Sequence, residues 1–352
     1  MAASDARSEP ARVAVVGAGA WGTTIAALIG RQESVTLLCH DEGQADAIES
    51  LRRNERRLPG VELPEALRAT ADVPALSAAV DLVVFAVPST HLRAEVARVA
   101  ASIPASADIL SLVKGIETGS LARMSEVIIE AGSIAPERVA VLSGPNLAGE
   151  IARGLPASAV VAATDPVLAA RIAERLGRRE FRLYVNNDVL GVELCGALKN
   201  IIAIAAGAAD GLGFGDNGKA GLMTRGLAEM MRVGIAAGAN PMTFAGLAGI
   251  GDVIATCGSR LSRNHRLGEE LAKGRTWAEL ETALPGTAEG AYTVDAALAL
   301  ADRLGVEMPI AREVHAALFE GKSVQRCLID LLARESKDEL LDLGAWAGRP
   351  TA

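Results

Sequence analysis

From Arg12 onward the chain alternates two kinds of stretch. Short apolar, β-branched runs predict strands at Arg12–Val16, Val35–Cys39, Leu82–Val87, Ile109–Val113, Val139–Leu142, Ala159–Ala163 and Phe181–Val185. Several of these runs are apolar at every position rather than every second one, as strands buried on both faces should be. Ala- and Leu-rich stretches such as Thr23–Arg31 and His91–Ala101 lie between them and suit helices. Strand–helix alternation predicts a parallel, doubly wound sheet. After about Asp188 the β-branched runs all but vanish. Val189–Ala209, Lys219–Ala237, Thr293–Leu304 and Ile310–Phe319 are long helical segments separated by short Gly- and Pro-containing turns. The expected division is therefore a disordered tail at 1–11, an α/β N-terminal domain at 12–188, an all-α C-terminal domain at 189–340 and a flexible tail at 341–352. No internal repeat or Pro- or Ser-rich linker interrupts it, so the two domains are expected to pack tightly.

Composition narrows the classes of function. Half of the 352 residues are apolar, enough for a sizeable core, and aromatics are only 3%, so that core must be built from Ala, Val, Leu and Ile. The net charge of −8 argues against a general nucleic-acid or anionic-membrane binder, while leaving room for a local basic pocket. Cys39, Cys195, Cys257 and Cys327 are far apart and form no CxxC pair, and the four histidines do not cluster, so no metal site is expected. The cysteines read as reduced and packed, as in a cytosolic protein. The polar, acid-containing start carries no secretory signal. The most apolar stretch, Ile201–Ala209, is too short to span a bilayer and reads as a buried helix.

The first chemical motif is Gly17-Ala18-Gly19-Ala20-Trp21-Gly22, which follows the first predicted strand and opens a helix near Thr23. In that strand–turn–helix setting GxGxxG is the dinucleotide fingerprint of a Rossmann-like domain. Gly17 permits the tight turn, Gly19 lets a pyrophosphate approach the backbone, and Gly22 permits close helix packing. The phosphates then meet the free N–H groups of a helix N-terminus. The second strand ends in Leu38-Cys39-His40-Asp41. Asp41 suits a ribose hydroxyl and hence NAD; His40 with an arginine such as Arg52, Arg53, Arg56 or Arg57 suits a 2′-phosphate and hence NADP. Both forms stay open. Phe85-Ala86-Val87-Pro88-Ser89 ends another strand and should flank the ligand crevice.

Lysine is scarce: Lys114, Lys199, Lys219, Lys273, Lys322 and Lys337 are six of 35 basic residues. A chain that prefers Arg for surface charge should keep Lys where a titratable ammonium is needed. Lys114 follows the strand Ile109–Val113, at a carboxyl strand end. Lys199 lies in an apolar helix, where partial burial would lower its pKa toward neutrality and suit proton transfer; the alternative is a snorkelling surface residue. Asp252, in the glycine-dense turn Gly246-Leu247-Ala248-Gly249-Ile250-Gly251, needs a partner, either a catalytic lysine or a helix N-terminus that it caps. Ser262-Arg263-Asn264 can fork onto a phosphate.

Taken together, these stretches resemble bacterial NAD(P)-dependent glycerol-3-phosphate dehydrogenases from about Arg12 to Leu340. The matching stretches begin at Gly17 (GAGAWGT), Phe85 (FAVPS), Val113 (VKGIE), Ser143 (SGPNLAGEIARGLP) and Gly196 (GALKNIIAIAAGAADGLGFGDN). They continue at Thr224 (TRGLAEM), Gly246 (GLAGIGD), Ser262 (SRNHRLG) and Ala288 (AEG). The resemblance implies reduction of dihydroxyacetone phosphate to glycerol 3-phosphate with NAD(H) or NADP(H), in a cleft between the domains. It implies Lys199 as proton donor and acceptor, Lys114 touching cofactor and substrate, and Asp252 supporting Lys199. Gly144, Asn146, Asp252, Ser262, Arg263 and Asn264 would contact the substrate. Ala20, Trp21, His40, Ala148, Arg263, Thr287 and Glu289 would line the dinucleotide site beside Gly17, Gly19 and Gly22. It further implies a cytoplasmic homodimer supplying phospholipid synthesis, without stable membrane insertion. Asn146 stands where family members often carry Ser, and Leu38, Arg57 and Thr287 also depart from the usual residues. The rival readings are a 3-hydroxyacid or ketopantoate-type reductase, and a dinucleotide-binding sensor without turnover.

Overall fold

The computed structural model describes residues 12–76, 79–284 and 286–335, so the expected tails at 1–11 and 341–352 lie outside it. The chain forms two compact units, one of Met1–Lys114 with Ala122–Val189 and one of Gly115–Leu121 with Leu190–Ala352.

The first unit is built on a sheet of β1 (Val13–Val16), β2 (Val35–Leu38), β3 (Leu67–Thr70), β4 (Leu82–Phe85), β5 (Asp108–Ser111), β6 (Val139–Ser143), β7 (Ala157–Ala163) and β8 (Phe181–Asn186). Their spatial order is β3-β2-β1-β4-β5-β6-β7-β8. From β3 to β6 every neighbouring pair is parallel. Val16 lies opposite both Leu38 and Phe85. Successive residues of β1 enter opposite cores, which explains the continuously apolar runs. Val13 and Val15 pack with Ile25 and Ile29 of the helix Ala20–Gly30 on one face. Ala14 and Val16 pack with Leu92 and Val96 of the helix Leu92–Val99 on the other. The order reverses between β1 and β4, so ligands of such a sheet bind at the carboxyl ends of these strands.

Two features depart from the expected pattern. β3, Leu67-Arg68-Ala69-Thr70, was not foreseen: it is a sheet-edge strand whose exposure alternates, with one β-branched residue, so it lacks the apolar run that marks its neighbours. β7 runs antiparallel to β6, with β8 parallel to β7, so the sheet is not wholly parallel. The connection from Ser143 to Ala157 contains only the five-residue helix Ala148–Ala152. Such a helix spans about 7.5 Å, too short to carry the chain back along the sheet, so β7 starts at the end where β6 finishes.

The second unit is helical. Its central helix, Val189–Gly211, has 23 residues, well beyond the run Ile201–Ala209; by length and composition it could cross a membrane, but 83% of its apolar window is buried inside the protein. Glycines let its neighbours rest backbone on backbone. A Cβ on Gly207 would fall 1.8 Å from the carbonyl oxygen of His265, and one on Gly268 would fall 1.9 Å from that of Ile204. This brings the helix Arg263–Ala272 hard against the central helix. None of the four cysteines is in a disulfide, and all four are buried. Burial pushes the thiols of Cys39, Cys257 and Cys327 up to about 12, leaving them unreactive.

Glu229, on the helix Gly215–Ala237, is buried and accepts hydrogen bonds from Ile310 N–H (2.7 Å) and Ala311 N–H (3.4 Å) at the start of the helix Pro309–Phe319. Burial raises its carboxyl to about 7, and these two N–H groups only partly oppose the rise. Its folded pKa thus exceeds the unfolded value near 4.5. The folded state binds this proton more tightly, so the group's stabilising contribution is full below about 4.5 and is lost as pH rises to about 7. The loss amounts to roughly 3 kcal/mol. Glu229→Gln removes the titration: its melting temperature, relative to wild type, should climb across that window and stay level above it. A parallel pH dependence of the two proteins would exclude this role.

Candidate active site

The glycine turn is set by its neighbours. Gly17 has φ +111°, and a Cβ there would lie 2.7 Å from the Ala86 carbonyl oxygen, in the turn after β4. A Cβ on Gly22 would lie 1.9 Å from the carbonyl oxygen of Gly17. Gly17 therefore seats the turn on Ala86-Val87, and Gly22 seats the helix Ala20–Gly30 on the turn. Gly19 is different: no described residue comes within 4 Å of the Cβ it lacks, and it caps the helix without a side-chain hydrogen bond. An open backbone face at an uncapped helix N-terminus, at the sheet's switch point, fits a pyrophosphate. Ala20 and Trp21 open that helix. The Trp21 ring meets Phe181 edge to face at 6.2 Å, and its buried Nε1 has no partner among the described residues.

At the adenosine side, His40 is exposed and Asp41 caps the helix Glu42–Leu51, accepting from Gln44 N–H at 2.8 Å. The arginines offered for a 2′-phosphate lie beyond that helix. Arg52 turns left-handed (φ 51°) and donates to the carbonyls of Pro64 and Leu67, so its guanidinium secures the approach to β3 and is not offered to a phosphate. Arg53 pairs with Glu55 at 3.7 Å, and Arg56 and Arg57 are exposed in the following turn.

Lys114, just past β5, donates to the Gly144 carbonyl oxygen at 3.1 Å. Gly144 has φ +142°, and a Cβ there would lie 2.9 Å from Ala159 Cα, so only glycine fits. Next to it, Asn146 has both amide atoms buried without a protein partner among the described residues. Unmet buried amides are costly, and an amide here fits a polar ligand. Ala148 begins the short helix, and its carbonyl accepts from Thr24 Oγ1 at 3.2 Å.

In the second unit Lys199 is buried in the central helix, 6% exposed, so the snorkelling alternative is excluded. Its Nζ donates to Asp252 Oδ1 at 2.9 Å and to Thr256 Oγ1 at 2.6 Å, and Thr256 Oγ1 donates to Asp252 Oδ1 at 2.9 Å. Asp252 is the first residue of the helix Asp252–Gly258, whose cap is Gly251, so the carboxylate is committed to the lysine rather than to capping. Thr256 was missed in the sequence. Its only signal is the four-residue spacing from Asp252, which places both on one helix face.

The Ser262-Arg263-Asn264 run opens the helix Arg263–Ala272. Ser262 caps it, accepting from His265 N–H at 3.2 Å. Asn264 is turned inward: it donates to Asn200 Oδ1 and accepts from Gly290 N–H, each at 2.9 Å. One of its two amide hydrogens is thereby used for packing, which narrows its capacity for phosphate. Arg263 is exposed, and its Nη1 lies 2.7 Å from where a Cβ on Gly286 would stand, next to Thr287 and close to Glu289, the first residue of the helix Glu289–Leu304. Arg263 therefore lies beside Gly286, one residue before the Thr287–Glu289 segment.

A Rossmann-like unit with its glycine turn at the switch point, followed by a helical unit holding a buried lysine–carboxylate pair, defines a dinucleotide-dependent oxidoreductase. Family models for the N-terminus and C-terminus of NAD-dependent glycerol-3-phosphate dehydrogenase match residues 12–169 and 188–329. The glycerol-3-phosphate dehydrogenase [NAD(P)+] of Streptomyces coelicolor is 47% identical over 94% of this chain and 99% of its own length. That of Frankia casuarinae is 47% identical over 93% and 98%. The crystal structure of glycerol-3-phosphate dehydrogenase from Coxiella burnetii is 37% identical, with a TM-score of 0.88, over 92% of this chain and 99% of that one. The chain belongs to the NAD-dependent glycerol-3-phosphate dehydrogenase family.

Gly19→Ala and Gly22→Ala should separate the two uses of the turn. Gly22→Ala collides with backbone and should cost about 1–3 kcal/mol of stability. Gly19→Ala should melt like wild type yet bind NADH more weakly, because its methyl occupies the face offered to the pyrophosphate. Unchanged NADH affinity in Gly19→Ala would remove the pyrophosphate from this face.

Proposed function

We propose that the chain interconverts dihydroxyacetone phosphate and glycerol 3-phosphate with NAD(H) or NADP(H), and that Lys199 moves the proton. The observation carrying this reading is the buried Lys199 ammonium held by Asp252 and Thr256. The dinucleotide, when bound at the glycine turn, supplies or accepts the hydride at C2 of the substrate. As the C2 carbonyl is reduced, the Lys199 ammonium gives a proton to the developing alkoxide; in the reverse direction the neutral amine takes it from the C2 hydroxyl. Asp252 and Thr256 hold the Lys199 ammonium in a fixed orientation. Asp252 also keeps the buried ammonium charged, because a lone cation there would be costly.

Lys199 stabilises negative charge on the C2 oxygen as it builds, and Lys114 is assigned to cofactor and substrate by the family resemblance. Arg263, exposed at its helix start, takes the substrate phosphate together with the remaining amide hydrogen of Asn264, and the phosphate's binding energy positions the carbonyl. Ser262 supports this end by capping the helix. Gly144 and the unmet amide of Asn146 face the substrate, while Ala20, Trp21, His40, Ala148, Thr287 and Glu289 attend the dinucleotide. A cytoplasmic homodimer, without stable membrane insertion and supplying phospholipid synthesis, completes the reading on family membership alone.

The first assay follows reduced-nicotinamide absorbance with dihydroxyacetone phosphate and NADH or NADPH in parallel. Substrate-dependent oxidation is expected, and its absence from folded, NADH-binding protein would reject the reaction. Lys199→Ala should lower kcat at least about 100-fold while the NADH Kd stays close to wild type. Because that variant strands a buried carboxylate, its melt is compared with that of Lys199→Ala/Asp252→Ala, which should be equally inactive. Near-normal turnover in folded Lys199→Ala would reject the proton-transfer role. Arg263→Ala should raise the substrate KM about 10- to 100-fold, as loss of a charged hydrogen bond does; an unchanged KM would place the phosphate elsewhere.

A further inference from the structure

We propose that Asn54, assisted by Gln44, is a positioning residue for the dinucleotide: it holds the Ala18 carbonyl and thereby aims the Gly19 N–H at the pyrophosphate. Asn54 lies in an arginine-rich stretch, Arg52-Arg53-Asn54-Glu55-Arg56-Arg57, yet is only 3% exposed. Its Nδ2 donates to the Ala18 carbonyl oxygen at 3.0 Å and to Thr23 Oγ1 at 2.8 Å. A carbonyl can only accept, so the amide nitrogen must be the atom facing Ala18. Gln44 Nε2 donates to the same carbonyl at 3.1 Å. Two side chains from the segment after β2 therefore converge on one peptide group of the glycine turn.

The consequence follows from peptide geometry. In a trans peptide the C=O of one residue and the N–H of the next point in opposite directions, and no cis peptide is present among the described residues. A carbonyl fixed toward Asn54 and Gln44 turns the Gly19 N–H to the opposite side. Gly19 caps the helix without a side-chain bond and has open space where its Cβ would be. Glycine at position 19 leaves this peptide free to rotate on that side; Asn54 removes that freedom, and its second bond, to Thr23, ties the carbonyl's holder to the first turn of the helix. The residue acts through the backbone and touches no ligand.

This inference rests on the dinucleotide lying at Gly19. The test measures NADH and ADP-ribose dissociation constants by fluorescence or calorimetry, together with melting temperature, in Asn54→Ala, Asn54→Asp, Gln44→Ala and Gly19→Ala. Asn54→Ala should weaken NADH and ADP-ribose by a similar factor, about 10-fold, as expected for losing one well-aligned hydrogen bond to a charged group. The substrate KM and kcat at saturating NADH should stay within about twofold. Asn54→Asp, the same size without a donor, should bind more weakly still, because its oxygen faces the Ala18 oxygen. Gln44→Ala, half-buried and safe for folding, should weaken NADH about two- to threefold with an unchanged melt. Unchanged NADH affinity in Asn54→Ala, with Gly19→Ala weakened, overturns the role of Asn54 and leaves the cofactor placement intact. If neither variant moves, the placement itself fails. Loss of melting temperature and kcat together, with equal affinities in Asn54→Ala and Asn54→Asp, marks Asn54 as merely structural and also overturns the proposal.

Discussion

A buried ammonium requires a carboxylate, and the helical unit is organised around meeting that requirement. Lys199 and Asp252 are both withdrawn from water, at a desolvation cost of several kcal/mol per ion that only close, fully bonded pairing offsets. Thr256 closes the arrangement by accepting from the lysine and donating to the carboxylate. The pair needs the helix Asp252–Gly258 delivered against the central helix. The glycine-dense turn before it makes this possible: a Cβ on Gly249 would lie 2.0 Å from the Phe244 carbonyl oxygen. The pairing of Lys199 with Asp252 thus depends on how closely backbones can approach.

The same constraint recurs along the central helix. Gly207, Gly268 and Gly290 let backbone meet backbone where larger residues would force helices apart. The approach brings Asn264 within reach of both Asn200 and Gly290. An asparagine that looks like a phosphate ligand in the sequence is therefore also a strut between three helices. Close packing and ligand recognition compete for the same short run of residues.

The dinucleotide end shows the complementary case, in which space is kept open. Gly17 and Gly22 are glycines because backbone atoms occupy the volume of a side chain; Gly19 is a glycine although nothing does. That difference assigns packing to two positions and leaves the third with an open face. The carbonyl between them, on Ala18, is held by Gln44 and Asn54.

Much of this was legible in the chain itself. Continuously apolar runs marked the strands that are buried on both faces, and the GxGxxG turn after the first of them located the nucleotide end. The scarcity of lysine singled out Lys114 and Lys199, and an aspartate in an apolar glycine turn announced that it needed a partner. Local sequence determines these things because periodicity, glycine and charge act within a few residues. The edge strand β3, the reversal at β7, the place of Thr256 between Lys199 and Asp252, and the attachment of Asn54 to Ala18 joined residues far apart along the chain. Only the tertiary structure decided them, because burial and hydrogen-bond partnership are set by what the fold brings alongside, and no local pattern records that.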